Sequence, residues 1–253
     1  MSAFTISCIA VAFIFGGALL GMRLRAMLPE PHLNTDSKDV VKLATGLIAT
    51  LAALVLGLLV ATAQSSFQAQ SGQIRQITAN IVMLDNLLAR SGPQARPIRV
   101  LLRQSVDKLV ERIWREQDSG AAKVVPFEAS AQSDLFFDKL LEFSSQNDAE
   151  RAVQARAVQI GLDLAQTRIL FAQTYSAIPA PFLTVLVFWL TIIFASFGLF
   201  SRPNATVVAS LSICAFSASA AIFLILELND PFSGLMEISR APLSHALAPL
   251  PAL

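Results

Sequence analysis

Glu227 is the side chain whose setting most invites a functional reading. It closes the apolar run IFLILE, and Asp230 follows three positions later, immediately before Pro231. A carboxylate is costly inside hydrocarbon, so an acid at the edge of a greasy segment is a functional candidate by default. The alternative, that Glu227 simply ends the segment at the water boundary, is equally open at this stage.

Other reactive side chains lack the spacing that chemistry needs. His32 has no cysteine or second histidine near it, and His245 lies far away in a proline-rich tail, so neither a zinc set nor a histidine acid–base pair is expected. Asp148 with Glu150, and Glu116 with Asp118, are carboxylate pairs at expected helix ends, where charge on a solvated terminus is ordinary. Cys8 and Cys214 sit in apolar runs and read as small hydrophobes, with no disulfide framework around them. No GxSxG elbow, Walker loop, strand-linked GxGxxG, CxxC or HExxH occurs. The reading is therefore of a non-enzyme with no metal and no cofactor.

The elements around Glu227 follow from composition. The 253 residues are 54% hydrophobic and only 15% charged, with a net charge of +1. A chain this apolar is a membrane protein, and the scattered Lys and Arg give no phosphate-tracking face for nucleic acid. The lipid bilayer is its first expected partner.

Leu43 to Ala63 is an uncharged, strongly apolar run. At about 1.5 Å of rise per residue it crosses the roughly 30 Å hydrocarbon core. It continues without a breaker into QSSFQAQSGQIRQ and on to about Arg90, so the helix leaves the bilayer still helical. Small residues recur at every fourth position: Thr45, Ala49, Ala53, Gly57, Ala61, Ser65 and Ala69. Such a stripe permits close helix approach in lipid, and Ala49, Ala53, Gly57 and Ala61 are expected to pack against protein. Leu47, Leu51, Leu54 and Leu58 occupy a different face.

Three more spans are expected. Residues 3–22 form a retained first helix rather than a cleaved signal, because no basic residue precedes the run while Arg23 and Arg25 follow it. Gly17 and Gly21 make a GxxxG pair on it. Arg23 to Lys42 is a polar link, whose start Pro29 and Pro31 should keep from helix, with Asp36 or Ser37 capping the second helix. Residues 182–200 and 205–228 form a second hairpin, with Asn204 as cap of the last helix. The many Ala and Ser residues of that helix suggest protein on several of its faces.

Between the hairpins, residues 64–178 repeat apolar positions at a helical period. Ser91-Gly92-Pro93 should stop the long helix and Pro97 open the next, which turns Ile98, Leu102, Val106 and Trp114 inward. A short helix from Ser133 to Phe143, with Ser133 as cap, and a longer one from Asn147 to Tyr175 complete the layer. The expected fold is all-α: a hairpin at 1–63, an extramembrane helical region at 64–178, a hairpin at 179–228, and a surface-hugging tail at 229–253.

Three stretches together resemble the bestrophin-like family of uncharacterised bacterial membrane proteins: TGLIATLAALVLGLLVATAQSSFQAQ, IPAPFLTVLVFWLTIIFASFGLF with its PNAT turn, and IFLILELNDPFSGLMEIS. The family is named for distant similarity to the bestrophin anion channels, and the resemblance covers nearly the whole chain. It implies a multi-pass protein of the bacterial inner membrane and a homo-oligomer, pentameric in true bestrophins. It also implies a central pore for small anions of the chloride type, lined by the second span, hence Leu47, Leu51, Leu54 and Leu58. The paired tryptophans and arginine that follow that span in bacterial bestrophins have no counterpart in Gln64 to Arg75, and no acidic calcium clasp follows Phe232. The competing expectation is a non-conducting scaffold or envelope sensor that binds a protein through its helical region. Lys and Arg counts place the first link in the cytoplasm, the reverse of the orientation that the resemblance implies.

Overall fold

The computed structural model describes residues 2–28, 35–118, 131–142, 148–174, 180–232 and 234–248. Pro29, Pro31, His32, Ser119, Gly120, Asn147 and Pro179 lie outside the described residues. Those described form α1 (Ala3–Met27), α2 (Thr35–Arg90), α3 (Arg96–Asp118), α4 (Ala131–Glu142), α5 (Asp148–Thr174), α6 (Ala180–Phe200), α7 (Ala205–Leu228) and α8 (Ala241–Leu247). No strand occurs among them. Helices α1, α2, α6 and α7 are each long and apolar enough to cross a membrane.

The chain divides into two compact units, one of residues 1–65 and 177–229, the other of 66–176 and 230–253. In the first unit α1 packs on α6 and α7. Gly17 faces the Thr191 carbonyl, where an added Cβ would sit 2.8 Å from the oxygen, and Gly21 lies against the backbone of Ala195. Gly198 reciprocates against the Ala18 carbonyl. Rising residue numbers on both sides show that α1 and α6 run parallel at near backbone contact, the arrangement that small residues permit in lipid. The turn at 201–204 joins α6 to α7 in four residues, so α7 returns antiparallel to α6 and hence to α1, and its Ser219 Oγ donates to the Ser7 carbonyl at 2.6 Å. Ile14, Ala18, Leu186, Ala215 and Ile222 fill the space between these helices.

The second unit is organised on the later part of α2. Ile74, Ile77, Ile81, Leu84 and Leu88 recur at three- and four-residue steps, all essentially inaccessible to water. Gly92, at φ 78°, supplies the left-handed turn that stops α2, and a 3-10 turn at Pro93–Ala95 leads into α3. Ile98, Leu102, Val106 and Trp114 of α3 meet that stripe, joined by Phe136 and Leu140 of α4 and by Ala157 and Ile160 of α5.

Several local expectations are corrected. Helix α1 continues through Arg23 and Arg25 to Met27, because prolines at 29 and 31 restrict only their immediate neighbours. Helix α2 begins at Thr35, so Asp36 and Ser37 lie in its first turn. Helix α4 begins at Ala131 and takes in Ser133. Within its own chain helix α7 buries one stripe, Leu211, Ala215, Ser219 and Ile222, a finding that bears on no contact with other copies. Asn204 does cap α7, its side chain accepting from the Thr206 amide at 3.3 Å.

The tail differs most from expectation. It does not lie along the surface: Phe232, Ile238, Leu243, Ala246 and Leu247 belong to the core of the second unit. Trp114 Nε1 donates to the Ile238 carbonyl at 3.1 Å, and its ring meets Phe232 edge-on at 5.6 Å. Indole buries well only when its N–H finds an acceptor, and the tail backbone supplies it.

Candidate functional site

The membrane segment of α2 presents distinct faces. Thr45, Ala52, Leu59 and Ala63 are buried within the unit, at steps of seven and four residues. At about 100° per residue, Leu47, Leu51, Leu54 and Leu58 fall roughly 180–240° around from Thr45. They are 65%, 43%, 66% and 66% exposed, so the leucine face is opposite the packed one. The small residues do not hold to one face, since a four-residue step overshoots a turn by about 40°. Thr45 is buried and Ala49 half-buried, whereas Ala53, Gly57 and Ala61 are exposed. Nothing lies within 4 Å of where a Gly57 Cβ would be. The GxxxG pair on α1 is therefore spent inside the chain, while the later small residues of α2 face outward.

Polar groups on the exposed side of α2 are turned back on their own helix. Thr50 Oγ1 donates to the Gly46 carbonyl at 2.9 Å and Thr62 Oγ1 to the Leu58 carbonyl at 2.8 Å. What remains facing outward is hydrocarbon.

Glu227 is buried, 8% exposed, in the last turn of α7, and the Asn229 amide closes that turn on the Ile225 carbonyl. Asp230, in the second unit, is half-buried, and its Oδ1 has no hydrogen-bond partner among the described residues. The Ile238 amide donates to the Pro231 carbonyl at 2.7 Å, closing the loop behind it. Among the described residues no group of three His, Cys, Asp or Glu could hold a metal ion. Cys8 and Cys214 are free thiols at the exposed surface.

One pair escaped sequence reasoning. Asp85, with a side chain only 4% exposed, takes two hydrogen bonds from Arg99, at 2.6 Å from Nε and 3.1 Å from Nη2. The available signal was an acid directly beside Leu84 on the apolar edge of a helix, with Arg99 next to inward-facing Ile98. Each alone reads as a flanking charge, and their pairing needs the turn at Gly92 to fold α3 back on α2.

Openings among the described residues include a groove and a cavity. A groove of about 500 Å³ in the second unit is lined by Ala79, Val82, Met83, Asn86, Leu87 and Arg90, all on α2. A cavity of about 380 Å³ in the first unit lies between the start of the α2 span, at Lys42, Thr45, Gly46 and Ala49, and the end of α6, at Ser196, Phe197, Phe200 and Ser201.

Four apolar helices of spanning length and a helical second unit define a multi-pass, all-helical membrane protein. The Bestrophin-like domain matches residues 10–243, and the chain belongs to the Bestrophin-like family. Solved structures with the same fold include a bacterial bestrophin homologue from Klebsiella pneumoniae carrying a single substitution. It has 12% identity and a TM-score of 0.66, over 95% of this chain and 96% of that one. A second substituted form, at 13% identity and TM-score 0.63, aligns over 92% and 96%. A structure described as a membrane protein variant has 12% identity and TM-score 0.64, over 95% and 96%. Comparison with curated proteins found no match.

Proposed function

We propose that this protein is a homo-oligomeric anion channel of the bacterial inner membrane, with α2 lining or buttressing a pore on the oligomer axis. The carrying observation is the leucine face. Leu47, Leu51, Leu54 and Leu58 are exposed in the single chain, opposite the packed face of α2, in a chain whose family is named for bestrophins. Rings of leucine form an apolar constriction of the kind that gates by dewetting. Charge favours anions over cations, because between Leu43 and Leu84 the chain carries no acid and one cation, Arg75. The exposed Ala53, Gly57 and Ala61 suit close contact with a neighbouring copy. By resemblance to bestrophins the ring has five members.

Purified protein in a planar bilayer should pass chloride current in preference to sodium. Silence across voltage and pH, with the oligomer intact, would remove the channel reading.

The second reading, a non-conducting scaffold or sensor, rests on the groove of about 500 Å³ along Ala79, Val82, Met83 and Leu87. Recovery of a stoichiometric protein partner, with no ion flux, would favour it.

A further inference from the structure

We infer that the cavity between the start of the α2 span and the end of α6 is a binding site for one anionic phospholipid. Its position comes first. Lys42 immediately precedes the uncharged run of α2, and Ser201 immediately follows that of α6, so the cavity opens where hydrocarbon gives way to headgroup. Its lining is divided in the way an amphiphile is. Lys42 and the hydroxyls of Ser196 and Ser201 offer donors to a phosphate, while Phe197 and Phe200 offer apolar surface to an acyl chain.

Charge supports an anionic occupant. Since α1 and α6 run parallel and α7 antiparallel to them, the end of α1 and the start of α7 reach the same boundary. Among the described residues the chain carries Arg23, Arg25, Lys38, Lys42 and Arg202 beside that boundary, against Asp36 and Asp39. Lys42 Nζ is 3.7 Å from Asp39 Oδ1, but both side chains are more than 60% exposed, a loose pair that a phosphate can displace. Space supports it too. Gly46 lines the cavity, and no atom lies within 4 Å of where its Cβ would be.

The test is native mass spectrometry of the full-length protein in detergent. Phosphatidylglycerol and phosphatidylcholine of identical acyl chains are added in separate titrations, and an inorganic phosphate arm is run alongside. Phosphatidylglycerol should be retained in preference. Lys42→Gln should weaken that retention roughly fivefold, as expected for one cation at a lipid surface. Gly46→Leu, which keeps every charge and meets open space, should abolish it by filling the cavity. Lipid retention is read without reference to current, so it stands apart from conduction. Equal retention of the two lipids would overturn the proposal, as would wild-type binding by either variant. Displacement of the lipid by millimolar inorganic phosphate would reassign the cavity to free anions and equally refute it.

Discussion

Asp85→Ala should destabilise the second unit by about 3 kcal/mol, whereas Glu142→Ala should leave it unchanged, although the two ion pairs close at the same distance. Asp85 meets Arg99 at 2.6 Å and Glu142 meets Lys139 at 2.6 Å, so separation is held constant and solvent is the variable. Side-chain exposure is 4% and 20% in the first pair against 65% and 50% for Glu142 and Lys139. Removing one member of a buried pair leaves the other charge without compensation, at about 3–5 kcal/mol. Arg99 retains some contact with water, which places the expected loss at the low end. For a unit of this size about 3 kcal/mol corresponds to roughly 10 °C in the unfolding midpoint. The chain has two tryptophans. In a Trp189→Phe background the fluorescence of buried Trp114 reports the second unit alone. Thermal unfolding of that protein in detergent, with each alanine variant added in turn, is the measurement. The double change Asp85→Leu with Arg99→Met should recover most of the loss, because neither charge is then stranded. Similar midpoints for Asp85→Ala and Glu142→Ala would refute the reasoning, since burial would then have no bearing on the pair.

Two further outcomes are expected. Gly57→Leu should shift the protein to smaller species on native mass spectrometry without lowering its unfolding midpoint, since nothing in the chain approaches Gly57; Gly21→Leu, driven into the Ala195 backbone, should destabilise the chain itself. Trp114→Phe keeps the ring against Phe232 but deprives the Ile238 carbonyl of its donor, and should cost about 1 kcal/mol in the same thermal assay.

What the sequence alone determined is whatever depends on near neighbours in the chain. The four spans are long apolar runs, charged only at Glu227 in the last turn of the fourth, and such a run is costly anywhere but in lipid or a core, so its length and position can be read without a fold. The same holds for the stop at Gly92, the cap at Asn204 and the inward stripe from Ile98 to Trp114. Each is set by interactions within about four residues.

What only tertiary structure decided is which of several eligible surfaces is used. Two small-residue patterns were legible, and nothing in their spacing showed that Gly17 and Gly21 meet α6 while Gly57 meets no part of its own chain. The four-residue stripe on α2 also winds around the helix, so its members cannot share one partner face. The pairing of Asp85 with Arg99 depends on a chain reversal between them. The proline-rich tail has no periodicity to betray a buried face, and its place in the core rests on apolar packing against residues distant in sequence together with the hydrogen bond that the Trp114 indole N–H donates to the Ile238 carbonyl. Local pattern restricts which residues are able to pack; complementary shape and hydrogen bonding between distant segments select the ones that do.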